Sequence, residues 1–263
     1  RLEIQVRTCD SYHPEQFVGG EKLRGTIKNL RSLVLSSCYF IRCIAKADGV
    51  ALLENLQSFS MDDCPSMELL FDLEGLNVPI PSKKELEILP NLKSLELRGL
   101  TRLTHIWRNY PKGIRVFQNL RILQVEGCSL PCLFYPPCVA DMLASLEELK
   151  VGLCPAMYGV IAGENEETSQ EDHDAGEKRE ISLRRTNKEF LFPKLSSLSF
   201  VNLQNLQSFN GGHHEGCDFK FPSLTQLEIM RCPELKNLCP GKLDAPLLKK
   251  VKVEENDTNI PMN

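Results

Sequence analysis

The chain has 263 residues, 42% of them hydrophobic and 25% charged, the balance of a soluble globular protein and far from disordered or collagen-like composition. Lys and Arg number 31 against 35 Asp and Glu, a formal charge of −4, so the basic footprint of a nucleic-acid binder is missing. The longest apolar run, at 153–163, is eleven residues and includes a proline, well short of the ~18–20 needed to span a bilayer. The opening RLEIQVRTCD has no signal-peptide layout, and without an initiator Met the chain is expected to be a fragment whose natural start lies upstream.

Taken in chain order, one short pattern recurs. IQVRTC at 4–9 is a truncated first copy. LRSLVLSSC then begins at Leu30, LQSFSMDDC at Leu56, LKSLELRGL at Leu92 and LRILQVEGC at Leu120. LEELKVGLC begins at Leu146, LSSLSFVNL at Leu195 and LTQLEIMRC at Leu224, and LKKVKVEEN at 248–256 closes the series. Each full copy obeys L-x-x-φ-x-φ-x-x-C/L, with φ apolar. The first strand positions are Ile4, Leu33, Phe59, Leu95, Leu123, Leu149, Leu198, Leu227 and Val251, with steps of 29, 26, 36, 28, 26, 49, 29 and 24 residues. Alternating apolar residues make a short strand with one inward face. A single such strand cannot bury that face, so the units must stack into a parallel sheet over a continuous core. Leu100, Leu103 and Ile106, and Cys232, Leu235 and Leu238, are expected to close the far side of the coil.

Cys9, Cys38, Cys64, Cys128, Cys154 and Cys232 all fall five residues after the first strand residue, where Leu100 and Leu203 replace Cys. A position that accepts either residue reads as a buried slot in which a free thiol acts as a small hydrophobe. A column of reduced thiols predicts a reducing, intracellular compartment, where the sequon at Asn256-Asp257-Thr258 has no consequence. The long steps must loop out of the coil. Residues 71–88 carry Pro79 and Pro81, which discourage a helix. Residues 163–188 contain an acidic run, 164–180, without apolar periodicity and are expected to form a mobile insertion, either a solvated linker or a docking tail. Irregular unit lengths and prolines predict mostly loops and short 3₁₀ turns on the convex side. The best helix candidate runs from about Val139 to Ala144, with Asp141, Glu147 and Glu148 read as a solvated face.

The pattern resembles the leucine-rich repeat. More narrowly it resembles the C-terminal repeat region of plant intracellular nucleotide-binding leucine-rich-repeat immune receptors of the coiled-coil class. That resemblance rests on the irregular unit lengths and on the C-P-x-φ turns Cys64-Pro65-Ser66-Met67, Cys154-Pro155-Ala156-Met157 and Cys232-Pro233-Glu234-Leu235. It also rests on Pro90, Pro193 and Pro222, each two residues before an anchoring Leu. The expected fold is therefore a β-rich α/β solenoid: a leucine-rich-repeat horseshoe of about nine repeats with a parallel concave sheet. Residues 1–263 would form one domain of a larger protein.

No phosphate loop, G-x-S-x-G or H-E-x-x-H motif occurs, and Gly19-Gly20-Glu21-Lys22 reads as a turn. The sole His/Cys cluster, at 210–218, lacks the second group of ligands that a zinc site needs and reads as a loop. Asp62-Asp63 and Glu147-Glu148 are adjacent, so their side chains diverge and neither suits paired-carboxylate catalysis. Trp107 reads as a packing residue, with an exposed binding anchor as the other possibility. These observations predict no catalytic residues, no metal and no cofactor. What remains is the outward strand surface: Gln5, Val34, Ser60, Glu96, Gln124, Lys150, Ser199, Glu228 and Lys252, flanked by Arg7, Arg98, Glu126, Met230 and Glu254. The candidate protein-binding set is Glu96, Arg98, Gln124, Glu126, Lys150, Ser199, Glu228, Met230 and Lys252. A mixed-charge ladder of this kind suits recognition of another protein.

The resemblance implies a non-enzymatic, cytoplasmic recognition module. It would sense a pathogen effector, or a host protein altered by one, and help hold an adjoining nucleotide-binding module inactive. Strands from Leu95 onward would carry the partner surface, with no nucleic-acid or membrane contact. The rival is the substrate-binding arm of an F-box ubiquitin ligase, with which the 26-residue steps ending at Phe59 and Leu149 are compatible.

Overall fold

The alternation in each unit produces strands that align residue for residue. A computed structural model describes residues 2–7, 16–18, 27–76, 86–111, 113–162, 189–211, 217–239 and 241–254. Nine strands form the front sheet: β1 (Leu2–Arg7), β2 (Leu30–Ser36), β3 (Ser58–Asp62), β4 (Ser94–Arg98), β5 (Ile122–Glu126), β6 (Glu148–Gly152), β7 (Ser197–Val201), β8 (Gln226–Met230) and β9 (Lys250–Glu254). All neighbours are parallel, and their spatial order is their chain order. Ile4, Leu33, Phe59, Leu95, Leu123, Leu149, Leu198, Leu227 and Val251 lie in a single row across the sheet. The long step between Leu149 and Leu198 does not interrupt it, because β6 pairs directly with β7. Residues 163–188, with the expected acidic insertion, lie outside the described residues.

From Leu33 to Leu198 this row is sealed in the core. Val251 is 56% exposed, because no further strand covers β9 among the described residues. Ahead of each strand, the anchoring leucines Leu30, Leu56, Leu92, Leu120, Leu146, Leu195 and Leu224 are fully buried. So are the residues three positions earlier, including Leu89, Phe117, Phe192 and Phe221. The Leu92 N–H donates to Leu89 O at 3.2 Å and the Leu224 N–H to Phe221 O at 3.1 Å. Each entry is thus a turn whose second position suits proline, which explains Pro90, Pro193 and Pro222. The C-P-x-φ segments are the matching exit turns: the Met67 N–H reaches Cys64 O at 3.1 Å and the Met157 N–H reaches Cys154 O at 3.2 Å. Between units, Asn55, Asn91 and Asn119 donate side-chain N–H groups to Lys28 O, Glu54 O and Pro90 O at 2.8, 2.9 and 2.7 Å.

The residue just before the thiol position turns the chain inward. Ser37, Asp63, Gly99, Gly127, Leu153, Asn202 and Arg231 all have φ between 51° and 65°. From Ser37 to Asn202 their N–H groups continue the ladder past the strand ends; Gly99 N donates to Glu126 O at 2.9 Å and Leu153 N to Val201 O at 3.0 Å. Cys38, Cys64, Leu100, Cys128, Cys154 and Leu203 then point into the core, while Cys232 is half-buried. Cys9 lies outside the described residues. The ten described cysteines are free thiols. Cys128 donates to Glu126 O at 3.5 Å and to Leu97 O, on the preceding strand, at 3.8 Å. A hydrogen bond shared with Cys154, together with burial, pushes the Cys128 thiol well above its ordinary value, the character of an inert structural thiol.

The rear departs from the expected run of loops and turns. Gln16–Val18, Cys43–Lys46, Leu69–Asp72 and His105–Arg108 form a parallel four-stranded ladder. Leu86–Ile88 pairs with Ile114–Val116, and Glu189–Leu191, Asp218–Lys220 and Leu243–Asp244 form a third sheet. Among the described residues, helix amounts to one α-helical turn, Ala47–Val50, two 3₁₀ turns, Ala51–Leu53 and Pro137–Met142, and the single helical residue Ile27. The candidate helix from Val139 to Ala144 is therefore this second 3₁₀ turn, because proline at its first position and its six-residue length leave no room to propagate α-helical bonding. Leu100, Leu103 and Ile106 close the core as expected, while Cys232, Leu235 and Leu238 pack against it half-covered. Trp107 is buried between Phe71, at 5.3 Å, and Phe117, at 4.6 Å between ring centroids, and is a packing residue.

Replacing the buried Leu123 with Asp strands a charge in the core and is expected to lower unfolding free energy by roughly 3 kcal/mol or more. Val251→Asp, at the open end, is expected to change it by less than about 0.5 kcal/mol; equal urea midpoints for the two variants would contradict this register. Leu153 bears the cost of a left-handed backbone, so Leu153→Gly is expected to stabilise by about 0.5–1 kcal/mol. A lower midpoint in the same titration would count against strain at that residue.

Candidate recognition surface

The register that buries one set of side chains turns the alternate set outward. Gln5, Val34, Ser60, Glu96, Gln124, Lys150, Ser199, Glu228 and Lys252 form the middle outward row. Arg7, Ser36, Asp62, Arg98, Glu126, Gly152, Val201, Met230 and Glu254 form the row beside it. All nine candidate residues therefore stand on one face, on adjacent strands ~4.8 Å apart.

Their polar groups are linked rather than independent. Arg98 Nη2 lies 3.3 Å from Glu96 Oε2 and donates to Gln124 Oε1 at 3.1 Å. Gln124 Nε2 donates to Glu148 Oε1 at 3.1 Å, and Lys150 Nζ reaches the same oxygen at 2.7 Å. Further along, Ser199 Oγ donates to Glu228 Oε2 at 2.9 Å and Lys252 Nζ to Glu228 Oε1 at 3.0 Å. These two bonds hold the Glu228 carboxyl below its ordinary value. Exposed pairs of this kind add little to stability, roughly 0–1 kcal/mol each; their effect is to fix side-chain positions on the face.

Glu148, expected on a solvated face beside the candidate helix, is instead a member of this network. It opens β6 and belongs to the strand surface. The signal was present, since the residue just before a first strand position, here Leu149, must point outward. Its neighbour Glu147 is ion-paired with Arg121, with N–O distances of 2.8 Å to each carboxylate oxygen, and this pairing holds the Glu147 carboxyl low. Where β4 to β7 end, the surface sinks into an open concavity of about 230 Å³ lined by Arg98, Gln124, Glu126, Lys150, Gly152 and Leu153, among others.

Among the described residues, the rear ladder holds the most buried charge. Asp72 is 3% exposed. Its Oδ2 accepts from Arg108 Nη2 at 2.7 Å, and its Oδ1 from Asn109 Nδ2 at 3.0 Å and from the Glu74 N–H at 3.2 Å. Burial pushes its carboxyl up, but the Arg108 and Asn109 hydrogen bonds outweigh that and hold it below the usual aspartate value. This is a clamp between Leu69–Asp72 and His105–Arg108. Among the described residues, no group of three or more His, Cys, Asp or Glu could hold a metal ion. Of the 210–218 cluster, residues 212–216 lie outside the described residues. No described helix is long and apolar enough to cross a membrane.

A parallel ladder of L-x-x-φ-x-φ-x-x-C/L units with a polar outer face and a sealed inner one defines a leucine-rich-repeat protein. The sequence profile described as plant disease resistance protein RPS2-like, leucine-rich repeats, matches residues 3–155. The chain belongs to this family of plant disease resistance leucine-rich repeats. It is 28% identical over 192 residues, 71% of its own length, to the probable disease resistance protein At4g27220 of Arabidopsis thaliana, and spans 18% of that protein's length. No solved structure matches.

A carboxyl with a depressed folded value contributes stability that is complete above the unfolded value, near pH 4 for aspartate, and is lost as pH falls through the folded value. Asp72→Asn is therefore expected to lower stability at pH 7 and to flatten the loss of stability below about pH 4. Urea titrations from pH 7 to pH 2.5 measure this, and an acid limb identical to that of the unsubstituted chain would contradict it.

Proposed function

We propose that this chain is the non-enzymatic recognition module of a plant innate immune receptor. In this reading the module works in the cytoplasm and uses its front face to bind a pathogen effector or an effector-modified host protein. The observation that supports it is the joined polar network of Glu96, Arg98, Gln124, Glu148 and Lys150 on β4–β6, read together with membership of a disease resistance family. Complementary charge on such a face sets partner choice and encounter rate.

The same reading gives the module a second role, restraint of an adjoining nucleotide-binding module. Binding then activates only if the ligand prefers the released state, since a ligand of equal affinity for both states shifts nothing. The F-box substrate-arm reading draws no support from the family match.

The test uses the full-length receptor co-expressed with pathogen effectors in leaf tissue, with the immune response as readout. For the effector that triggers a response, Lys150→Glu is expected to abolish it while receptor abundance is unchanged. Arg42→Glu, at the exposed Arg42–Glu68 pair away from the front rows, is expected to leave the response intact. A full response from Lys150→Glu together with Gln124→Lys would move recognition off this face.

A further inference from the structure

Within the front face, the concavity at the ends of β4–β7 has a specific chemistry. Its floor is Gly152, the one residue of its outward row, from Arg7 to Glu254, without a side chain. A Cβ there would stand in tight contact, 3.3 Å from Val201 O, and its absence leaves the gap. The cations on its rim are already engaged: Arg98 by Glu96 and Gln124, and Lys150 by Glu148. Ser199 is engaged by Glu228. Glu126 differs from all of these. Its carboxylate is exposed, and no ion pair or hydrogen bond involves it among the described residues. Arg98, its in-register neighbour, is turned away toward Glu96.

The opposite wall is apolar. Leu153 is 48% exposed in a left-handed conformation with φ 52°, and the half-buried Val201 lies across from Gly152. At the equivalent turn position the other units carry Ser37, Asp63, Gly99, Gly127, Asn202 and Arg231. Among these turn positions Leu153 alone is a branched apolar residue, and it stands at the edge of the concavity, the kind of backbone outlier that points to function.

We propose that this notch is a subsite for one basic side chain, an arginine or lysine on an exposed segment of the protein partner. Its alkyl stem lies along Leu153 and Val201, and its charged end pairs with Glu126 above the Gly152 floor. Long cationic side chains present an apolar stem and a polar head, which matches a wall of one kind and a carboxylate of the other. The inference rests on the front face being the recognition surface and names the partner chemistry that face selects.

The test titrates the peptide acetyl-Ala-Arg-Ala-amide into the ¹⁵N-labelled 263-residue chain and follows the Gly152 and Leu153 amide signals. The expected result is saturable shifts with a weak affinity, on the order of ten millimolar, because burial of the alkyl stem must supply most of the binding and an exposed charge pair adds only about fivefold. The neutral isostere with citrulline is expected to bind about fivefold more weakly, and the acidic peptide acetyl-Ala-Glu-Ala-amide to leave these signals in place. Glu126→Gln is expected to weaken arginine-peptide binding about fivefold. Leu153→Gly is expected to weaken it without lowering thermal stability, which a purely structural role for Leu153 would not produce. Equal binding of the citrulline or acidic peptide, indifference to Glu126→Gln, or no arginine-peptide binding would overturn the subsite. If binding is absent while Lys150→Glu still silences the receptor's response, the subsite fails and the recognition face stands. If the peptide binds as expected while the charge-reversed receptor responds fully, the notch stands as a cation site and its assignment to effector recognition fails.

Discussion

A five-residue strand with one apolar face has nowhere to bury it except against an identical strand. Every part of this molecule follows from that dependence. Leu95 is buried because Phe59 and Leu123 flank it in register, and each of those relies on the next. Stability in such a stack is a sum of neighbour contacts. Units in the middle are therefore sealed, whereas β9 leaves Val251 and Val253 more than half exposed. Three minor devices keep the spacing constant: a left-handed residue at the strand exit, a buried thiol or leucine after it, and asparagine side chains bridging from one entry turn to the carbonyl of the turn before.

The front face shows the other side of this constraint. Because the inward positions are committed to the core, the polar side chains of the front strands fall in the outward rows, and there they are tied to each other across strands. Gln124 connects Arg98 to Glu148, so residues from three successive strands share one network. A surface with side chains already ordered loses less conformational entropy on binding than one of free lysines and glutamates. Leu153 marks the limit of the regular pattern, where a backbone conformation suited to glycine carries a branched side chain instead.

The register of the nine strands was legible in the sequence because its signal is strictly local: two apolar residues two apart, a leucine three before, and a cysteine or leucine five after. The outward row followed automatically. Glu148 escaped because a nearby pair of prolines and a run of helix-forming residues suggested a helix, although its place beside Leu149 already fixed its direction. The rear ladders were illegible for a different reason. The strand Leu69–Asp72 is buried along its whole length, so it shows no alternation, and a short buried run cannot be told from a turn of buried helix by periodicity. The notch at Gly152 depends on what its neighbours across the sheet do, and Arg98 turning away from Glu126 is not encoded in spacing.

The short strands on the rear have a consequence for curvature. A solenoid bends when its units are wider on one side than on the other. Rear helices, at 8–10 Å between axes, would force the front strands, ~4.8 Å apart, to the inside of a tight arc. Here the rear of the units from Gln16–Val18 to His105–Arg108, and again from Glu189–Leu191 to Leu243–Asp244, is itself hydrogen-bonded as strands. In those stretches front and rear advance by similar distances per unit, which removes the cause of a tight arc. A gentle bend keeps the outward rows of neighbouring units nearly parallel, so that Arg98, Gln124 and Glu148 can meet across three strands.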